Sequence, residues 1–402
     1  MKVLIINVVC GIKSTGRICT DIATELEKQG HEVKIIYGRD NVPMEYERFA
    51  KKVGTDLDVK VHVALSRISD SAGFHSTIYT RRLIEWIKEY NPDVINLHNI
   101  HGYYINVEVL FKYLRTCGKR VIWTLHDCWP FTGHSALCDG DDCEKWKEGC
   151  SNCPQKGEYP KSLVDKSTRN WNKKKANFCD IPNLIITTPS RWMKDNVEKS
   201  FLSRYPCEVI NNGVDIDIFK PSAGKIFRDK YGLDDKYIVL GVSTAWGHKK
   251  GYEDFLQLAS MLDNGYKVVL VGVEDKLKID SVPNLLTLGR TSSIQELAEI
   301  YSAANVFVNL TYCDTYPTVN LEARACGLPI ITYNTGGSPE AAGKDALVVE
   351  KADLCSIAKR VVELKTMRIF DKEKTCYLDE SKKQFLSNRY YINKYIELIM
   401  EK

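Results

Sequence analysis

The chain has 402 residues, 44% of them hydrophobic and 27% charged, with a formal net charge of +4. That length supports two domains with sizeable cores, and the composition excludes a disordered chain. The slight positive balance argues against a nucleic-acid partner, and no apolar run reaches the roughly 18 residues of a spanning helix.

The first residues, Met1–Val9, are apolar but few, and no cleavage site follows, so they read as a strand rather than a signal peptide. A cytosolic protein is expected, in which the 14 Cys residues are mostly thiols or metal ligands. Unbroken β-branched runs recur at Val3–Val9, Val33–Tyr37, Val94–Leu97, Val121–Leu125 and Leu184–Thr188. Such runs suit a parallel sheet covered on both faces. Helical patterns fill the gaps, as at Ile18–Gln29 and Ile78–Tyr90. The first run leads into Gly11-Ile12-Lys13-Ser14-Thr15-Gly16-Arg17. Glycines there let backbone approach a phosphate ahead of a helix N-terminus, or only supply positive φ for the turn. His98 and His101 follow the third run, and His126 ends the fourth beside Asp127. A His at a strand's C-terminal end either meets a ligand or is a core His satisfied by backbone.

Cys138, Cys143, Cys150 and Cys153 follow, spaced C-x4-C-x6-C-x2-C. A structural zinc site, free thiols, and an iron–sulfur or redox pair all fit this cluster. A closed four-Cys site would order a loop and would not be a catalytic metal centre. The next segment, Lys161–Phe178, mixes Lys161, Lys166, Arg169, Lys173, Lys174 and Lys175 with Leu163, Val164, Trp171 and Phe178. It reads as a solvated helix face or as a surface resting on anionic lipid.

A turn-rich linker, Asn211-Asn212-Gly213-Val214-Asp215 with Phe219 and Pro221, separates the halves. The strand pattern then repeats at Ile238–Val242, Val268–Val271, Leu285–Leu288, Val306–Leu310, Ile330–Tyr333 and Ala346–Val349. Helices are expected at Tyr252–Leu262 and Ile294–Ala303, so two doubly wound α/β halves follow. Lys249 and Lys250 follow the first of these runs, and Gly289-Arg290-Thr291 the third. A lysine at a helix head can neutralise charge on a departing diphosphate, or simply be solvated. After Val306–Leu310 comes Asp314, with Glu322 eight positions later on the next helix. In an open sheet both acids lie beyond the strand ends, where ligands bind. The N–H groups around Pro317, Thr318 and Val319 open that helix and suit phosphate. Acids that accept from sugar hydroxyls, beside such N–H groups, describe a nucleotide-sugar site. Alternatively, the acids only favour the helix dipole. The final stretch, Gln384–Lys402, is helical, with Tyr391, Tyr395, Ile396 and Ile399 on one face.

The Asp314-x7-Glu322 stretch resembles the acid-x7-acid signature of retaining glycosyltransferases of family four, a GT-B group that builds bacterial polysaccharides and glycolipids. The family's first acid is usually Glu. The resemblance extends to the Asn-Gly-Val-Asp linker. The segment Trp129-Pro130-Phe131-Thr132-Gly133-His134 resembles a polysaccharide-building subgroup with a Cys-rich insert. What it implies is a GT-B fold, two Rossmann-like domains facing across a cleft. The first is 1–205, with the insert at 128–160; the second is 206–380; helix 381–402 returns to the first. It implies sugar transfer with retention from a UDP- or GDP-sugar to a glycan or lipid-linked acceptor, with no catalytic metal and with peripheral contact at the inner face of the membrane. By the same resemblance Glu322 accepts from the ribose, Asp314 from the donor sugar, and His126 orients that sugar. Gly16, Lys250, Thr318 and Val319 hold the diphosphate, and Arg290 borders the nucleobase. The family's Arg five residues before the Lys is missing: Ala245 stands there, leaving Lys249 or Arg290 to supply a second charge. The alternatives are a nucleotide-sugar epimerase and a non-catalytic nucleotide- or sugar-binding protein.

Overall fold

The computed structural model describes residues 1–138, 143–279, 281–367 and 384–401. They divide into two compact units, Met1–Ile210 with Ile392–Lys402, and Asn211–Tyr391. The first holds β1 (Lys2–Ile6), α1 (Lys13–Lys28), β2 (Glu32–Tyr37), β3 (Ala50–Lys52), α2 (Asp56–Ser69), α3 (Thr77–Tyr90) and β4 (Val94–Leu97). It continues with α4 (Val107–Leu114), β5 (Arg120–Thr124), α5 (Ser167–Phe178), β6 (Leu184–Thr188), α6 (Arg191–Glu198) and β7 (Cys207–Val209). The seven strands are parallel in the order β3-β2-β1-β4-β5-β6-β7.

The apolar runs became the central strands because those strands are covered on both faces. Leu4, Ile6, Ile95, Leu97, Val121 and Trp123 join one buried cluster with Phe111 and Phe178. The strands that the pattern does not announce, β3 and β7, are the two sheet edges. They are three residues each, Ala-Lys-Lys and Cys-Glu-Val, with partly exposed side chains. Charge on a short edge strand discourages pairing with other chains. Helix α1 begins earlier than its apolar spacing suggests, so Gly16 lies buried in its first turn rather than in the preceding loop. Gly11 N–H donates to the Gly16 carbonyl at 3.1 Å and folds that loop onto the helix.

The second unit holds α7 (Lys225–Tyr231), β8 (Tyr237–Val242), α8 (Tyr252–Met261), β9 (Tyr266–Val271), β10 (Leu285–Leu288), α9 (Ile294–Ala303) and β11 (Val306–Asn309). Then come α10 (Thr318–Ala325), β12 (Ile330–Tyr333), α11 (Ser338–Ala342), β13 (Leu347–Val349) and α12 (Leu354–Thr366). Its six parallel strands run β10-β9-β8-β11-β12-β13. In both sheets the first strand is interior, and the chain winds outward to one side and then the other. Among the described residues no helix is long and apolar enough to cross a membrane.

The last helix, α13 (Asn388–Met400), passes from the second unit into the first at Ile392. Tyr395 is 1% exposed, with its hydroxyl in hydrogen bonds to Thr124 of β5 and Thr187 of β6. Arg120 closes the end with an ion pair to Glu401 at 3.0 Å. Tyr395→Phe is expected to cost about 1 kcal/mol of stability and Tyr395→Ala about 3–5 kcal/mol, read by urea unfolding. Wild-type stability in Tyr395→Ala would mean that this helix does not dock as described.

Candidate functional site

In the second unit the chain reverses its winding between β8 and β11. Ligands of open parallel sheets bind at that point, beyond the strand ends. The loop after β8 ends in Lys249, Lys250 and Gly251. Gly251 has φ +68°, and a Cβ there would lie 2.3 Å from the Leu310 carbonyl, so only glycine lets α8 start against the end of β11. Tyr312 N–H donates to the Lys249 carbonyl at 2.9 Å, joining the two loops. Across this junction Lys250 Nζ donates to Asp314 Oδ2 at 2.7 Å and to Thr311 Oγ1 at 3.4 Å.

Asp314 is held on several sides. Tyr316 N–H donates to its Oδ1 at 3.2 Å, and Gly337 N–H to its carbonyl at 2.9 Å. Gly336, at φ +53°, passes so close that a Cβ would fall 2.0 Å from the same carbonyl. The Lys250 and Asp314 side chains remain 35% and 22% exposed. A pair that open to water adds little stability, at most about 1 kcal/mol. Its meaning is positional: one cation and one acid are presented side by side at the reversal.

Helix α10 opens beside them at Pro317, with no side-chain cap, so Thr318 and Val319 form its first turn. Its seat is polar and buried. Asn309 Nδ2 donates to Asn320 Oδ1 at 2.8 Å, and Asn320 Nδ2 donates to the Ser338 carbonyl and hydroxyl at 3.0 and 3.1 Å. Glu322 lies one turn further on. Tyr301 is fully buried, and its hydroxyl donates to Glu322 Oε2 at 2.8 Å. Burial first, and the Glu322 charge second, push the Tyr301 pKa well up, so it stays a donor. Tyr301 gives no signal in the sequence, because the apolar face of α9 hides its role. Arg290 Nη2 reaches the Thr244 carbonyl at 3.5 Å, which places a guanidinium beside Ala245.

The first unit has its own reversal, between β1 and β4. Buried Asn7 spans it. Its Nδ2 donates to the Val9 carbonyl at 2.7 Å, and its Oδ1 accepts from Asn99 N–H at 3.1 Å. On the β4 side, His98 Nδ1 and His126 Nε2 lie 2.9 Å apart. Burial lowers both pKa values, that of His126 to about 4, so both rings are neutral and one donates to the other. Beside them His101 Nε2 meets Asp127 Oδ2 at 2.7 Å and His101 Nδ1 meets the Tyr159 hydroxyl at 3.0 Å. Asp127 Oδ1 accepts from Trp129 N–H at 3.0 Å. Burial opposes the Asp127 charge, but His101 and that amide outweigh it, and the carboxyl sits below its usual pKa. Asp127 was legible as the neighbour of His126; its partner His101 required the fold.

The Cys-rich insert corrects one expectation. Cys138 is disulfide-bonded to Cys128, ten residues earlier, because Cys128 N–H donates to the Ala136 carbonyl at 2.9 Å and folds the chain back. The set Cys138, Cys143, Cys150 and Cys153 is therefore not four available thiolates. Among the described residues no group of three or more His, Cys, Asp or Glu could hold a metal ion. Cys143, Cys150 and Cys153 are free thiols lining one small cavity with Cys138. Burial raises Cys153 to about 11 and Cys150 in the same direction, which keeps them protonated.

The segment Lys161–Phe178 corrects a second. Trp171 and Phe178 of α5 are buried, and so is Lys174. Lys174 Nζ donates to the carbonyls of Trp129 at 2.6 Å and Thr132 at 3.0 Å, which drew the apolar face of α5 inward. That face is not free to lie on lipid.

Residues 15–218 match Glycosyltransferase Family 4, and residues 236–366 match Glycosyl transferases group 1. The chain is 24% identical to a putative colanic acid biosynthesis glycosyl transferase of Escherichia coli, over 89% of this chain and 90% of that one. It is 28% identical to the N,N'-diacetylbacillosaminyl-diphospho-undecaprenol alpha-1,3-N-acetylgalactosaminyltransferase of Campylobacter jejuni, over 34% of this chain and 38% of that one. In structure it is similar to Anabaena HepE, solved in complex with UDP, at a TM-score of 0.68 and 12% identity, covering 99% of each chain.

Asp127 supplies a pH test. Its lowered folded pKa means that its stabilisation is present above the ordinary carboxylate range and is lost as pH falls through the lowered value. Asp127→Asn is expected to lose about 1–3 kcal/mol at pH 7 and to flatten the acid limb of a Tm-against-pH curve. An acid limb identical to wild type would show that the charge on Asp127 does no such service.

Proposed function

Since the chain belongs to glycosyltransferase family 4, we propose that it moves a sugar from a nucleotide diphosphate donor to a glycan or lipid-linked acceptor in the assembly of a bacterial surface polysaccharide, with retention and without a catalytic metal. The GT-B fold is the common ground with its relatives. The observation that carries the reading is the Lys250–Asp314 pair at 2.7 Å across the β8–β11 reversal. A diphosphate is a stronger partner for an ammonium than a single carboxylate is. Its arrival draws Lys250 off Asp314, and the same move frees Asp314 to accept from the donor sugar's hydroxyls. The Thr318 and Val319 N–H groups face the same diphosphate. Glu322, its far oxygen held by Tyr301, takes the ribose. Arg290 supplies the second positive charge that Ala245 cannot.

Transfer breaks the bond between the anomeric carbon and the diphosphate oxygen. Lys250 and the backbone N–H groups neutralise the charge that develops on the leaving group, the work a metal does elsewhere. The acceptor hydroxyl attacks from the face being vacated, and its proton passes to the leaving phosphate oxygen. His126 and Gly16 are assigned to the donor sugar and diphosphate. Support for a uridine nucleotide comes from the UDP bound to HepE. Support for a lipid-linked acceptor comes from the diphospho-undecaprenol in the Campylobacter relative's name.

The test is a panel of UDP- and GDP-sugars, each with and without polyprenyl-diphosphate glycans and with EDTA, followed by nucleotide release and product anomer. One donor should release nucleotide only with acceptor, give the retained anomer and ignore EDTA. Sugar interconversion without release would replace the reading with an epimerase. Nucleotide binding without turnover would replace it with a binding protein.

Two substitutions divide the roles. Lys250→Ala is expected to lower kcat by about 10²–10³, with nucleotide affinity changed far less. Glu322→Ala is expected to weaken nucleotide binding about tenfold or more. Unchanged nucleotide affinity in Glu322→Ala would refute the ribose assignment.

A further inference from the structure

Three side chains that the donor site does not use form one chain of hydrogen bonds in the first unit. Asp127 Oδ2 meets His101 Nε2 at 2.7 Å, and His101 Nδ1 meets the Tyr159 hydroxyl at 3.0 Å. His101 follows β4 and Asp127 follows β5, and these strands are neighbours. The chain therefore starts at the C-terminal end of the sheet, where open sheets hold ligands. An ionised Asp127 only accepts, so His101 Nε2 carries the proton of the neutral ring. Its Nδ1 then accepts from the Tyr159 O–H. That commits the phenol's proton and leaves its oxygen lone pairs with which to accept.

Exposure rises along the chain. His101 is 7% exposed, whereas Tyr159 is 44% exposed. A tyrosine that served packing alone would hide its ring. Here the hydroxyl is fixed while the ring stays open. Two pieces of backbone hold it so. Gly102 and Tyr103 both take positive φ, +112° and +69°. For a bulky side chain that conformation costs about 1–3 kcal/mol. The turn sets the buried Tyr103 ring edge-on to Tyr159, with centroids 6.0 Å apart. Tyr159 itself belongs to the Cys-rich insert. Ala136 N–H donates to the Tyr159 carbonyl at 3.4 Å, and Ala136 lies inside the loop closed by Cys128 and Cys138.

We propose that Tyr159 recognises the acceptor sugar. Its ring carries one face of that sugar, and its hydroxyl oxygen accepts from one of the sugar's hydroxyls. His101 and Asp127 are positioning residues behind it. A sugar presents apolar C–H faces and hydroxyls together, and an open aromatic ring with one oriented polar atom matches both. The Cys-rich insert then serves to place Tyr159 on the His101–Asp127 pair. The inference rests on the transferase reading for its acceptor.

The test joins kinetics of the full chain, with whichever polyprenyl-diphosphate glycan supports transfer, to binding of labelled protein on an oligosaccharide array without donor. Tyr159→Phe should raise the acceptor KM about three- to tenfold, leaving kcat and donor KM near wild type. Tyr159→Ala also removes the ring and should raise it about tenfold further. His101→Ala should match Tyr159→Phe, and the double variant should add little, because the two act as one unit. His101→Gln keeps a donor for Asp127 and an acceptor for Tyr159, so it should recover most of the loss, which a packing role would not show. Tm certifies folding in each variant. Wild-type acceptor KM in Tyr159→Phe would overturn the proposal. So would an array on which wild-type protein binds no glycan that Tyr159→Phe loses. A fall in kcat of about 10² or more at unchanged acceptor KM would also overturn it, making the chain a proton relay. Glycan binding that depends on Tyr159, with no transfer from any nucleotide sugar, sinks only the transferase reading. Transfer indifferent to Tyr159 sinks only this inference.

Discussion

Each sheet is wound outward from an interior first strand, and that constraint places everything of chemical interest. When the chain leaves β1 for β2 and later returns to pair β4 on the other side, the two connections diverge. The same happens at β8, between β9 and β11. Divergent loops leave backbone and side chains facing a gap that regular structure cannot fill. The Lys250–Asp314 pair spans one gap, and Asn7 with the His98–His126 pair lies at the other.

The loops at these gaps are held by close backbone approach rather than by apolar packing. Gly251, Gly272 and Gly336 each pass a carbonyl oxygen at a distance no Cβ could occupy: that of Leu310, Ser243 and Asp314 respectively. Buried polar bonds do the rest. Asn309, Asn320, Ser338 and Thr332 tie β11, α10, α11 and β12 into one network. A network of this kind is costly to break and geometrically demanding, so it holds α10 in one orientation. The orientation of Glu322 follows from it and from Tyr301.

The same economy explains where local pattern and structure part. The central strands, β1, β4, β6, β8, β11 and β12, were visible as unbroken apolar runs because both their faces are covered. The edge strands β3 and β7 were not, since three residues with exposed side chains leave no hydrophobic period. Helix α2 was missed as well: Leu57, Val61, Leu65 and Ile68 are exposed, His62 and Ser66 are buried, and Val59 packs on the core, so polar and apolar residues mix on its inner side. Helix α5 carries lysine at helical spacing, and one of those lysines, Lys174, is a buried donor to two carbonyls rather than part of a solvated face.

Sequence alone settled the alternation of strand and helix, the division into two halves and the acid-x7-acid spacing of Asp314 and Glu322, because these follow from local periodicity and from short-range spacing on one loop and one helix. Tertiary structure alone decided which distant groups meet. Lys250 and Asp314 are 64 positions apart, His101 and Asp127 are 26, and Tyr301 and Glu322 are 21. It also decided that Cys138 is bonded to Cys128 while lining one cavity with Cys143, Cys150 and Cys153. Such pairings depend on which strands are neighbours and where their loops turn, and a parallel sheet sets that through crossovers that carry no mark in the residues they bring together.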